Sequence, residues 1–162
     1  MASKVRISKM QGVGILPEDG QIGWLSYSAA TRGGTIFIRS TSDTTALYIS
    51  TNRAQYVSFS DMVDPDSDTV RFERARGIDP GIEINKPLRV QNLVPGLEFE
   101  TETYGSTGTG AITTQAAGTA LGVDASGYII EKQGSGAGST QLFTLVANHV
   151  SARATIEVRY TP

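Results

Sequence analysis

Leu97-Glu98-Phe99-Glu100-Thr101-Glu102-Thr103 alternates apolar or hydroxyl side chains with carboxylates, and Ala154-Thr155-Ile156-Glu157-Val158-Arg159-Tyr160 repeats that period near the end of the chain. Successive side chains of an extended strand point to opposite faces, so a period of two marks a strand with one face buried and one polar. Between these runs lie Gly105-Ser106-Thr107-Gly108-Thr109-Gly110 and Gly134-Ser135-Gly136-Ala137-Gly138. Alternating runs bounded by glycine clusters read as antiparallel strands joined by turns. The expected fold is all-β, an antiparallel β-sandwich or small barrel with little helix.

Working outward, Thr35-Ile36-Phe37-Ile38-Arg39 and Thr45-Ala46-Leu47-Tyr48-Ile49-Ser50 are β-branched and aromatic, with residues 40–44 joining them as a hairpin. Residues 22–27, 56–59 and 70–73 read as further strands, as do 87–91, 119–123, 128–131 and 141–147. Pro17-Glu18-Asp19-Gly20 and Asp124-Ala125-Ser126-Gly127 are turns. No stretch carries a 3.6-residue apolar stripe over three turns; only 52–55 and 114–117 have room for a short helical turn. Arg76-Gly77-Ile78-Asp79-Pro80-Gly81 is the linker candidate. The chain divides into an extended N-terminal arm (1–14), a β-rich N-terminal region (15–84) and a β-sandwich or barrel C-terminal region (85–162).

The 162 residues include no cysteine, which excludes disulfides, thiolate metal sites and cysteine nucleophiles. Fourteen basic and sixteen acidic side chains give a net charge of -2, against the basic excess of a nucleic-acid binder, so no nucleic-acid partner is expected. No apolar run approaches the roughly 20 residues that span a bilayer, and the basic N-terminus lacks the apolar stretch of a signal peptide. No membrane partner and no Sec export are expected. Lys4, Arg6 and Lys9 have no acid beside them in the sequence, so the arm is expected to order against an acidic partner surface.

Few residues offer chemistry. Asp64, Asp66 and Asp68 have the i, i+2, i+4 spacing that opens many calcium loops, but Thr69 and Ala75 stand where such a loop needs Gly and Glu. The segment reads as a solvated acidic turn, and no metal or cofactor is expected. Glu98, Glu100 and Glu102 share one strand face; two of them fall near the carboxyl spacing of a glycosidase, yet a row of three reads better as an interface face. Like charges in a row repel, so a basic partner is expected opposite: Arg71, Arg89, Arg159 or a neighbouring chain. His149, the sole histidine, reads as a turn residue with no nucleophile elbow to serve. Trp24, Tyr27, Tyr48 and Tyr56 sit among aliphatics and read as core rather than as stacking platforms. No catalytic set emerges, and the chain is not expected to be an enzyme.

Leu88-Arg89-Val90, Val94-Pro95-Gly96-Leu97 and Gly118-Thr119-Ala120-Leu121-Gly122-Val123-Asp124-Ala125-Ser126-Gly127-Tyr128-Ile129 carry a resemblance. This stretch resembles the head decoration, or capsid cement, proteins of tailed bacteriophages, whose small β-barrel or sandwich has a similar strand pair after a glycine-rich loop. The resemblance covers under half of the chain. It implies a non-enzymatic virion protein on the outer surface of the capsid, a homotrimer whose partner is the major capsid protein and whose arm reaches neighbouring subunits. Lys4, Arg6 and Lys9 are then the candidate capsid contacts, and Glu98, Glu100 and Glu102 the candidate interface face. A tail-tube or head–tail joining protein is one alternative. A carbohydrate-binding β-sandwich using Trp24 and the acidic turn is the other.

Overall fold

The structure is a computed structural model that describes residues 5–10, 26–29, 31–43, 46–62, 88–105, 112–150 and 154–162. In chain order the strands are β1 (Val5–Met10), β2 (Ser26–Tyr27), β3 (Ile36–Arg39), β4 (Ala46–Tyr48), β5 (Tyr56–Met62), β6 (Leu88–Asn92), β7 (Leu97–Thr101), β8 (Ala120–Val123), β9 (Ile129–Glu131), β10 (Phe143–Val150) and β11 (Ala154–Tyr160). One 3-10 turn, Ile112–Thr114, precedes β8. The fold is all-β, as the alternation predicts. The strand candidate at 70–73, the linker candidate and Pro17-Glu18-Asp19-Gly20 lie outside the described residues.

The strands form two sheets, ordered β1-β7-β11-β10-β8-β9 and β2-β4-β3-β5-β6. The first is antiparallel throughout and curls on itself. Beyond β7, Tyr104 bridges Ile129 of β9, and the Gly105 N–H donates to the Ile129 carbonyl at 2.9 Å. This link brings the chain after β7 back to β9 and carries the sheet round into a barrel-like wall. β1 pairs with β7 outside that circuit. The second sheet takes β6 from beyond residue 85, while β1, from the N-terminal end, belongs to the first. Among the described residues the strands of 15–84 thus share one sheet, and those of 85–162 fall in both.

The expected inward residues of β7, Leu97, Phe99 and Thr101, are all fully buried. Phe99 and Phe143 meet edge-on with ring centroids 5.9 Å apart, and Leu121, Val123, Ile129, Leu145, Ile156 and Val158 fill the space around them. Ile112 of the 3-10 turn is also buried in this cluster, which closes one end of the barrel wall. Such aromatic pairs contribute about 0.5–1.5 kcal/mol beyond their buried area.

β3 and β5 explain why 36–38 is a continuous apolar run. Ile36 and Val57 pack into the barrel core, whereas Phe37 and Tyr56, one residue along each strand, join a second cluster with Leu47 and Val90. A strand buried on both faces has no polar side to alternate. Tyr27 lies against Phe37 with centroids 5.0 Å apart, and Tyr56 is buried, so two of the four flagged aromatics are packed. Tyr48 is 41% exposed, and Trp24 lies outside the described residues.

Buried hydroxyls brace the entry to β3 against β5 and, through Thr103, against the first sheet. Thr103 Oγ1 donates to the Gly33 carbonyl at 2.5 Å, and Ser58 Oγ donates to the Arg32 carbonyl at 2.9 Å and accepts from the Thr35 N–H at 3.2 Å. Thr35, Ser58 and Thr101 are fully buried. Gly34 sits among them at φ 89°, where a Cβ would strike the Thr101 hydroxyl, so the position requires glycine on both counts. Buried hydroxyls are tolerated only when bonded, and these are.

Tyr160 ties the end of β11 to the segment before β5, its hydroxyl donating to the Ala54 carbonyl at 2.8 Å. Burial raises the phenol above its ordinary pKa of 10.0. The folded state then holds this proton more tightly than the unfolded chain. Its contribution is complete below pH 10 and is lost as pH rises through the folded value. Tyr160→Phe should cost about 1 kcal/mol at neutral pH through the lost hydrogen bond, and should flatten the fall of stability above pH 10. Urea melts at pH 7.5 and pH 10.5 check this; equal slopes in both proteins would refute it.

Candidate interaction face

The outer face of β7 is organised by cross-strand register. In β7–β11, Glu98 stands opposite Arg159 and Glu100 opposite Glu157. In β1–β7, Lys9 stands opposite Glu98 and Arg6 opposite Glu100. A register shift between Ile7 and Lys9, with Ser8 as the extra residue, brings both basic positions into line with the carboxylates. Each of these two glutamates is thus flanked across the sheet by a basic position on β1.

Glu98 departs from the expected open face. It is 4% exposed, and its Oε1 accepts from Arg159 Nε at 2.7 Å and Nη2 at 2.5 Å. The period of the strand identifies the face; the neighbouring strands decide whether that face is covered. Of the basic partners expected opposite the acidic row, Arg159 is the one the structure brings to Glu98. Arg71 lies outside the described residues, as do Lys4 and the acidic turn at Asp64, Asp66 and Asp68.

Glu100 is half-buried, and its Oε1 accepts a short hydrogen bond from Thr155 Oγ1. Directly opposite stands Glu157, and like charges placed so are destabilising unless something between or beside them compensates. Thr155 and the register position of Arg6 lie on the Glu100 side. His149 lies on the other, Nε2 3.5 Å from Glu157 Oε2. Glu102 is half-buried; its charge adds to burial, the larger cause, in raising the Tyr104 phenol above 10.0. The Tyr104 hydroxyl donates to the Ala154 carbonyl at 3.2 Å.

His149 is a correction to the sequence reading. It belongs to β10, opposite Thr155, rather than to a turn. A second register shift, between Leu145 and Ala147, lets β10 run eight residues and carries the histidine onto the polar face. Asn148 beside it caps the barrel end, its Nδ2 donating to the Gln115 carbonyl at 2.6 Å.

Of the three stretches with the resemblance, 88–90 lies in β6 of the second sheet, 94–97 turns into β7, and 118–129 forms β8, a tight turn and the start of β9. Asp124 Oδ1 accepts from the N–H groups of Ser126 at 2.8 Å and Tyr128 at 2.9 Å, and Gly127 takes φ 81°. Asp and Gly are the residues such a turn needs. Among the described residues no group of His, Asp and Glu converges as a metal site, and no helix is long and apolar enough to cross a membrane. No family model and no curated protein matches this chain.

Proposed function

We propose that this chain is a structural protein of a tailed-phage virion, a head decoration protein that binds the outside of the assembled capsid. It acts by burying surface across the seams between capsid subunits and so opposes the pressure of packaged DNA. It has no catalytic role. The observation that carries the reading is the hairpin β8–β9: the longest stretch with the resemblance to capsid cement proteins, 118–129, forms a strand–turn–strand unit. The expected assembly is a homotrimer, as the resemblance implies; closed symmetry is the rule for homo-oligomers.

Co-sedimentation tests this directly. The purified chain should pellet with undecorated expanded heads of the phage that encodes it, saturating at a copy number divisible by three per capsid face, and should raise the temperature at which those heads rupture. Failure to pellet with heads at micromolar concentration would end the proposal.

A further inference from the structure

We infer that the acidic edge of β7 is a strand-acceptor site for β1 of a second copy of this chain, so that assembled copies exchange their N-terminal strands. This rests on the homo-oligomeric part of the reading above and not on capsid binding.

Three observations carry it. First, the curled wall is built without β1: it runs β7-β11-β10-β8-β9, and one isolated parallel bridge, Tyr104 to Ile129, links the chain after β7 to β9. β1 is an addition to one edge, with β7 as its ladder partner among the described residues. Second, β1 is written for that edge. Lys9 and Arg6 fall opposite Glu98 and Glu100, while Ile7 and Met10 fall opposite Phe99 and Leu97. A strand matched in both charge and apolar register specifies its acceptor, whichever copy supplies it. Third, fifteen residues, 11–25, separate β1 from β2. Fully extended they span about 50 Å, well beyond the radius of gyration of about 15 Å for a domain this long. The same strand can therefore reach the β7 edge of a copy packed alongside.

Exchange preserves the ladder and its register, which is why swapping an identical element is a low-cost route to association. Within one isolated chain the tether favours the internal pairing through an effective concentration in the millimolar range. Copies already held side by side experience a comparable local concentration of each other's strands, and exchange then adds a topological link between them.

The charge register gives a test that separates internal from exchanged pairing. Arg6→Glu places like charges opposite each other inside one chain, and Glu100→Arg does the same with the opposite sign. In an exchanged trimer of the two variants, two of the three junctions join unlike copies, and at one of them the carboxylate introduced at position 6 meets the guanidinium introduced at position 100. The reciprocal pairing sets the unaltered Arg6 against the unaltered Glu100. An equimolar mixture, unfolded and refolded together, should melt several degrees above either variant alone and sediment as a mixed oligomer. A mixture that melts as the average of its components overturns exchange.

A second reading uses thiols, since the chain has none of its own. Arg6→Cys and tagged Glu100→Cys, mixed and oxidised, should give at least tenfold more covalent heterodimer than either gives as homodimer; an equal yield overturns the inference. Sedimentation of the unmodified protein distinguishes the two levels. An oligomer whose double variant R6C/E100C closes only within single chains overturns exchange and leaves the homo-oligomer standing. A strict monomer overturns both.

Discussion

Arg159→Met should cost about 3 kcal/mol, because it strips Glu98 of the guanidinium that shares its burial. Only 5% of the Glu98 side chain is exposed, against 37% for Arg159, so the carboxylate is the partner that has lost its water. Removing one member of a buried ion pair typically costs about 3–5 kcal/mol, and the partial exposure of Arg159 puts this pair at the lower end. The pair itself need not stabilise the fold by that amount. Glu98→Gln in the Arg159→Met background removes the stranded charge and should restore about half of the loss. Urea denaturation of the two variants checks both halves; an Arg159→Met protein as stable as the parent would show that water reaches Glu98 freely. For a chain of this length, 3 kcal/mol corresponds to about 6–12 °C in melting temperature.

Gly122→Ala should be nearly as damaging, for a reason unrelated to charge. A Cβ at residue 122 would overlap the Gly138 carbonyl oxygen and lie 2.8 Å from both the carbonyl carbon and Cα of Gly138. The obstacle is backbone, which does not rotate away as a side-chain tip would. Gly138 is itself at φ 79°, with Ile130 against the place where its own Cβ would stand. The strand β8 and the loop at 134–138 therefore approach through two glycines, and forcing them apart should cost about 2–3 kcal/mol. Gly134→Ala is the control in the same loop, with open space around the added methyl, and should change stability by less than about 0.5 kcal/mol. Equal melting temperatures for the two variants would contradict this packing.

The strands themselves were legible because their side chains obey local rules. Leu97, Phe99 and Thr101 face inward as the alternation requires, and Asp124 with Gly127 turns where the residue types say. The assignment of strands to sheets was not legible. β6 joins β5, and β1 joins β7, because pairing depends on which strand edges the tertiary fold brings together. One clue lay in plain view: a basic run at 4–9 and an acidic run at 98–102, each lacking an opposite charge nearby in sequence. His149 was misread because Ala147-Asn148-His149 has poor strand propensity, and a bulge with tertiary pairing overrides it. The lock of Thr35, Ser58 and Thr103 was invisible for another reason. Hydroxyl residues beside glycines look like solvated turns until the second sheet covers them.

The pairing of β1 with β7 also sets a timetable. Val5 and Thr101 are partners in the ladder, yet one leaves the ribosome 96 residues before the other. At about 5–20 residues per second the first strand waits roughly 5–20 s for its edge to be synthesised. For that interval it lacks its ladder partner, and like positive charges on a strand disfavour its pairing with copies of itself. The basic residues that fit the acidic strand at the end of folding thus protect the nascent chain at its beginning.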